Sequence, residues 1–284
     1  MTKLSFGIKT APQHTTYEAM QRIWLDADAL EVFEHAWLFD HFNPIVGDLD
    51  GPCFEGWTLL TAFAAQTRRI RVGLMVAGNT YRHPAVLAHI AATLDIIANG
   101  RLDIGIGAGW NVYEHESMGL ELYQPGERIR RLGEACEIMK RLFTEPVVDF
   151  AGRYYQLKQA RLEPKPIQKP YPPFVIGGSG EKLTLRVTAR YADVWNFAGG
   201  TPDDFRRKVS ILHEHCAAVG RNPADIALSI QIPVNYDDLN ATAAHVQSFV
   251  DAGANHLILN LRYPYPDGIV HRLAAEVVPQ IKAI

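Results

Sequence analysis

The chain has 284 residues, with 28 Lys and Arg against 31 Asp and Glu for a formal charge of −3, and is 48% hydrophobic and 21% charged. These proportions exclude a disordered chain, and the mild acidity argues against nucleic acid, because no positive field would gather phosphates. Cys53, Cys136 and Cys216 are too scattered for a disulfide framework or a cysteine-rich metal site, and no apolar run is long enough to span a membrane. With no signal-like stretch after Met1, the expectation is a soluble cytoplasmic protein.

In chain order, short apolar segments alternate with stretches of helical period. Leu4 to Ile8 reads as a strand, and Thr16 to about Phe33 as a helix with Thr16 as its cap. Ala36 to Phe39 is the second strand, ending at Asp40-His41. A helix over Trp57–Gln66 leads to a strand over Ile70–Val76. A helix over Pro84–Ala98, with Pro84 in the first turn, precedes a strand over Leu102–Gly107. Gly126 to Glu145 is the clearest helix, with Ile129, Leu132, Cys136, Met139 and Phe143 at steps of three and four. Val147–Phe150 and Tyr154–Leu157 then form a hairpin around Gly152, followed by a connector holding five prolines between Pro164 and Pro173. Four more strands (Phe174–Ile176, Asp193–Phe197, Ala227–Val234, His256–Leu261) alternate with helices over Glu181–Tyr191, Pro202–Val219, Asp238–Ala252 and Asp267–Ile284. The total is eight strand-then-helix units in one domain over 1–284. That repetition predicts a parallel (β/α)8 barrel with a hairpin and proline-rich insertion; a doubly wound open sheet is the alternative.

Chemistry in such a barrel gathers at the C-terminal ends of the strands. Asp40-His41 is a titratable pair at one end, and imidazole is the side chain that moves protons near neutrality; the plainer reading is a turn cap and a packed ring. His83, before Pro84, reads equally as a shaper of the helix start. Gly105-Ile106-Gly107-Ala108-Gly109 lacks the last glycine of a dinucleotide fingerprint, but its small residues would let a flat ring lie against the strand end. Gly177-Gly178-Ser179-Gly180, between a strand and a helix, is evenly a phosphate cradle or a tight turn. His115, between Glu114 and Glu116, reads as a solvated loop. His213, His215 and Cys216 sit at steps of two and three on an outer helix and do not share one face well, so no metal is assigned. No lysine stands at a clear strand end.

Taken in order, Phe39-Asp40-His41-Phe42, Arg69 to Gly73, Tyr81-Arg82-His83-Pro84, Gly100-Arg101-Leu102, Gly109-Trp110, Pro125 to Arg128, Pro164-Lys165-Pro166, Gly177 to Gly180 and Tyr191 to Asn196 resemble the luciferase-like monooxygenase family, in the branch that uses the deazaflavin coenzyme F420. The resemblance implies an oxidoreductase barrel passing a hydride between F420 and a small organic substrate, with FMN as the alternative cofactor. It implies a non-proline cis peptide near Leu74-Met75, forming a bulge against which the ring bends. Asp40 and His41 would line the substrate side, His41 carrying the proton. Asn79, Tyr81 and His83 would lie beside the cofactor, Gly107, Gly109 and Trp110 would approach it, and Gly178, Ser179 and Gly180 would meet its phosphate. A sugar-phosphate dehydrogenase of this branch has glutamate where Trp110 stands, so Trp110 points to an apolar or aromatic surface facing the substrate. The expected partner is a small molecule, with neither nucleic acid nor membrane, and a homodimer is compatible with the chain. The rival readings are FMN-dependent oxygenation, a non-redox barrel enzyme on a phosphorylated substrate, and a binding protein without catalysis.

Overall fold

The computed structural model describes residues 3–283. Strand β1 (Ser5–Thr10) leads through helix α1 (Tyr17–Ala29) to β2 (Phe33–Leu38), and α2 (Gly56–Gln66) leads to β3 (Arg71–Leu74) with its short continuation β4 (Ala77–Gly78). Then come α3 (Pro84–Ile97), β5 (Leu102–Gly107), the short α4 (Val112–Ser117) and α5 (Pro125–Thr144). A hairpin of β6 (Val148–Ala151) and β7 (Gln156–Ala160) follows, and the alternation resumes with β8 (Phe174–Gly177), α6 (Thr184–Tyr191), β9 (Val194–Asn196) and α7 (Pro202–Ala218). It ends with β10 (Ala227–Pro233), α8 (Leu239–Val250), β11 (His256–Leu261) and α9 (Ile269–Arg272).

Eight strands pair in parallel around a closed ring, β1-β2-β3-β5-β8-β9-β10-β11 and back to β1, with β4 extending the β3 side. This is the expected barrel rather than the open sheet. Period two along each strand divides its side chains between two environments. Ala36 and Leu38, or Leu257 and Leu259, join the large core beneath the helices. Trp37 and Ile258, on the opposite faces of the same strands, join Met75 and Val175 in a small second cluster inside the ring. Among the described residues, no helix is long and apolar enough to cross a membrane.

Several boundaries differ from the sequence reading for local reasons. Phe33 begins β2 rather than ending a helix, because α1 stops at Ala29 and the chain turns at Leu30. The strand expected over Ile70–Val76 breaks into β3 and β4 around a cis Met75–Val76 peptide, one bond beyond the expected Leu74-Met75. The last expected helix divides into α9, a π turn at Leu273–Val277 and a 3-10 turn at Val278–Gln280; Ile284 lies outside the described residues. The segment after Asn111, read as a loop, is α4: Asn111 caps it by accepting from the Glu114 N–H at 3.2 Å.

The hairpin and the proline-rich segment pack on the barrel. Glu134 of α5 accepts the N–H groups of Arg153, Tyr154 and Tyr155 at 2.8, 3.0 and 3.1 Å, and the Arg131 guanidinium lies 3.6 Å from the Tyr123 ring centre and 4.7 Å from that of Tyr154. Gln168 of the proline-rich segment donates to Asp95 and to the Leu102 carbonyl, each at 2.7 Å, which ties the insertion to the base of the barrel.

Candidate active site

At the C-terminal ends of the strands lies a cavity of about 540 Å³. Phe39, Asp40 and His41 line it after β2, Met75 to Gly78 and Tyr81 after β3, Gly107 to Trp110 after β5, and Gly177 and Gly178 after β8.

One carboxylate organises the wall. Glu114, fully buried on α4, receives the Nδ1–H of His41 at 2.7 Å and the Tyr81 hydroxyl at 2.6 Å through the same oxygen. Its other oxygen takes the N–H of Phe42 and, at 3.2 Å, that of Asn43. Burial alone would raise this carboxyl group's pKa; hydrogen bonds from His41 and Tyr81, with the His41 charge and the Phe42 N–H, outweigh burial and hold it at about 2. The carboxylate therefore stays ionised and fixes the imidazole with Nδ1 as the donor. That leaves Nε2 without a partner among the described residues, on a ring that lines the cavity. The His41 ring meets Trp110 edge-on at 5.6 Å, and Trp110 is 60% exposed at the mouth.

Asp40 has a different task. Both of its oxygens are taken by Arg82, at 2.6 and 3.1 Å, and Arg82 also reaches Glu55 at 2.6 Å. Burial raises the Asp40 pKa and the adjacent guanidinium opposes it. Glu55 caps α2 by accepting from Trp57 and Thr58. Gly56 lets that helix start against the second strand end, since a Cβ there would lie 2.5 Å from the Phe39 carbonyl. The titratable pair in space is thus His41–Glu114 rather than Asp40–His41. The solvated loop expected around His115 is also overturned: its Nδ1 bonds the Asn111 carbonyl at 2.6 Å and its Nε2 bonds Thr80 at 2.7 Å, with the residue buried. Burial, reinforced by the nearby Glu114 charge, pushes the Cys53 thiol up to about 12, so it stays protonated.

Of the residues named from the sequence, Asp40, His41, Met75, Tyr81, Gly107, Gly109, Trp110 and Gly178 come together at the cavity. The other five are held outside its lining. Leu74 faces the helices in the main core. The Asn79 amide donates to the Tyr155 hydroxyl at 3.2 Å, tying the hairpin to the rim. The His83 ring caps α3 by accepting from the Ala85 N–H at 3.2 Å. Ser179 accepts from the Ala198 N–H at 3.1 Å, and Gly180 packs on Thr184.

Polar residues of the lining that the sequence reading did not assign to the site include Arg128, Lys9 and Gln231. Arg128 of α5 lines the same cavity as Gly177 and Gly178, and its Nε is buried without a partner among the described residues. Lys9 of β1 reaches the cavity floor, contrary to the expectation that no lysine stands at a strand end, because β1 runs to Thr10 rather than stopping at Ile8. Gln231 of β10 accepts from its Nζ at 2.6 Å. From there a chain of uncharged groups descends through the barrel: Gln231 donates to Asn196 at 2.9 Å, Asn196 to Ser229 at 3.0 Å, and Ser229 meets His256 at 2.8 Å. His256 stacks on His35 at 3.9 Å; burial lowers the pKa of both rings, that of His256 to about 4.

The chain belongs to the luciferase-like monooxygenase family, whose model matches residues 4–275. It is 36% identical over 210 residues to pyrimidine monooxygenase RutA of Methylobacterium radiotolerans, covering 70% of this chain and 53% of that protein. It is 32% identical over 220 residues to an F420-dependent glucose-6-phosphate dehydrogenase of Microbacterium testaceum, covering 76% and 64%. The chain thus spans between about half and two thirds of the length of these curated relatives. Its backbone matches an F420-dependent secondary alcohol dehydrogenase in complex with an F420-acetone adduct at a TM-score of 0.88, with 19% identity and 99% of both chains covered, a likeness of fold.

Proposed function

We propose that this chain is an F420-dependent oxidoreductase that acts on a small organic substrate in the cavity at the strand ends, with His41 moving the proton. The observation that carries the reading is the His41–Glu114 pair: a buried, ionised carboxylate fixes the imidazole with Nδ1 engaged and Nε2 free, on the wall of a cavity of ligand size. The similarity to F420-dependent dehydrogenases in sequence and fold supports it.

The residues present fit a planar cofactor with a phosphate. Small residues from Gly107 to Gly109 keep one wall flat, and a Cβ on Gly107 would lie 2.7 Å from Val76. Gly178 adopts φ +129°, a conformation that keeps the turn before α6 free of side chains. Arg128, whose Nε is buried and unpartnered among the described residues, lines the same cavity. Met75, Gly107 and Gly109 would flank the ring, and Gly178 and Arg128 would hold the phosphate. Leu74, Asn79, His83, Ser179 and Gly180 would support these positions from behind. The deazaflavin, when bound, supplies hydride chemistry. The protein's share is to orient the substrate beside His41, to exclude water with Trp110 and Phe39, and to pass a proton at Nε2. Glu114 offsets the charge of the imidazolium that results.

His41→Ala should leave cofactor affinity within about threefold of wild type and lower turnover by roughly 10²- to 10⁴-fold, read by absorption titration and single-turnover kinetics with F420. Unchanged turnover would remove His41 from this role. FMN-dependent oxygenation is the second reading, favoured by the likeness to the pyrimidine monooxygenase. Tighter binding of FMN than of F420, with oxygen uptake, would select it.

A further inference from the structure

The proposed function leaves Lys9 without a task, yet its position is unusual for a lysine. Only 9% of it is exposed, and its ammonium has three donors. One of them is used, toward Gln231. No carboxylate pairs with it among the described residues: Asp40 is taken by Arg82, and Glu114 by His41, Tyr81 and two backbone N–H groups. A buried ammonium without a counter-ion is costly and is seldom kept without a use. The remaining donors adjoin the cavity that Trp110, Phe39 and Ile45 wall with apolar surface.

We infer that Lys9 is the anchor for an oxyanion, so that the substrate class is a small, largely apolar molecule carrying one carboxylate or enolate oxygen. The anchor sits on the floor at β1, whereas His41 stands on the wall after β2, so a molecule held by its anionic end on Lys9 places its apolar body against Trp110 and within the reach of His41. The inference rests on the cavity being the substrate site. Burial lowers the amine's pKa to about 8, so it stays charged at neutral pH while lacking a partner. The groups around it do not titrate in competition: β10 offers Gln231, β9 offers Asn196, and the flanking strands bring Asn260 and Trp37 into register with it. Across the cavity, Asp40 and His41 are engaged with Arg82 and Glu114, as is Tyr81 with Glu114, and Arg128 also lines it.

The test is calorimetric titration of the protein, with and without bound F420, using benzoate and its neutral isostere benzamide. At pH 6.5 benzoate should be preferred at least tenfold. The preference should fall below twofold in Lys9→Met. In the unmutated protein it should also fall at pH 9.5, whereas Lys9→Arg should keep it at both pH values. If Lys9→Met fails to fold, the pH arm is read in His41→Ala, which takes another cationic candidate out of the cavity: a preference that still falls between pH 6.5 and 9.5 sustains the inference, and one already absent at pH 6.5 overturns it. Equal binding of the two probes, or a preference that survives Lys9→Met, overturns the inference. So does a tenfold loss of F420 affinity in Lys9→Met with the benzoate preference intact, which would assign the charge to the cofactor. A Lys9-dependent benzoate preference in a protein that binds neither F420 nor FMN would sustain the anchor while removing the redox reading.

Discussion

The rim and the floor of the cavity solve the problem of buried polarity in opposite ways. At the rim charges are concentrated and paired: Glu114 gathers four donors, and Arg82 is shared between Asp40 and Glu55. On the floor the polar groups are amides, a hydroxyl and imidazoles linked in a chain, and the charge at its upper end has no opposite among the described residues. Paired charges hold groups in place, because removing either partner leaves the other stranded in low dielectric. An unpaired charge holds nothing in place and lowers stability, but it is ready for a ligand. One region is built to orient and the other to receive.

That contrast can be broken by substitution. The largest effect is expected at the rim. Glu114→Leu strands four donors at once and should cost about 3–5 kcal/mol in urea unfolding. Its stabilising contribution in the unmutated protein also has a pH signature. With the folded pKa at about 2, below the ordinary carboxylate value of 4.5, the contribution is complete above pH 4.5 and is lost as pH falls toward 2. Glu114→Gln should flatten that segment of the stability profile. Arg82→Met should cost a similar ~3–5 kcal/mol at pH 7, since it leaves Asp40 buried alone, and part of the loss should return as pH falls and Asp40 takes up a proton. The smallest effect, of opposite sign, is expected on the floor. Lys9→Met should stabilise the protein by roughly 2–3 kcal/mol at pH 7. The folded pKa of about 8 lies below the ordinary 10.5, so the unfolded chain holds its proton more firmly. Unmutated stability then rises with pH between 8 and 10.5, and the advantage of the variant should vanish across that window. Destabilisation by Lys9→Met at pH 7 would erase the contrast.

The fold was legible because its repeating unit is. β5 and β11 fall on the residues that their apolar runs mark, and Pro84 and Pro125 stand in the first turns of the helices they open. The site was legible only in part, because strand ends announce which residues reach the rim but not which partners cross to meet them. Glu114 lies 73 residues from His41, and α4 is too short to show a helical period. The spacing of Asn111 and Glu114, a cap and an acid three residues apart, was the available sign. Lys9 was hidden by one residue of strand length. Alternation places it on the same face as Gly7, whose absent side chain makes room for the His35 ring inside the barrel: a Cβ there would lie 1.8 Å from it. His83, Ser179 and Gly180 fall outside the cavity lining for the opposite reason. Residue types suited to binding also cap helices and close turns, and here local backbone partners claim them.

Trp110 has a practical corollary. Four of the five tryptophans, Trp24, Trp37, Trp57 and Trp195, are buried, while this one stands 60% exposed at the mouth beside His41. The protein therefore carries its own optical probe. The solvent-relaxed, red-edge part of its emission reports from the cavity mouth, and that part should shift to the blue as a guest molecule displaces water from the indole, giving an occupancy assay that needs neither label nor knowledge of the reaction.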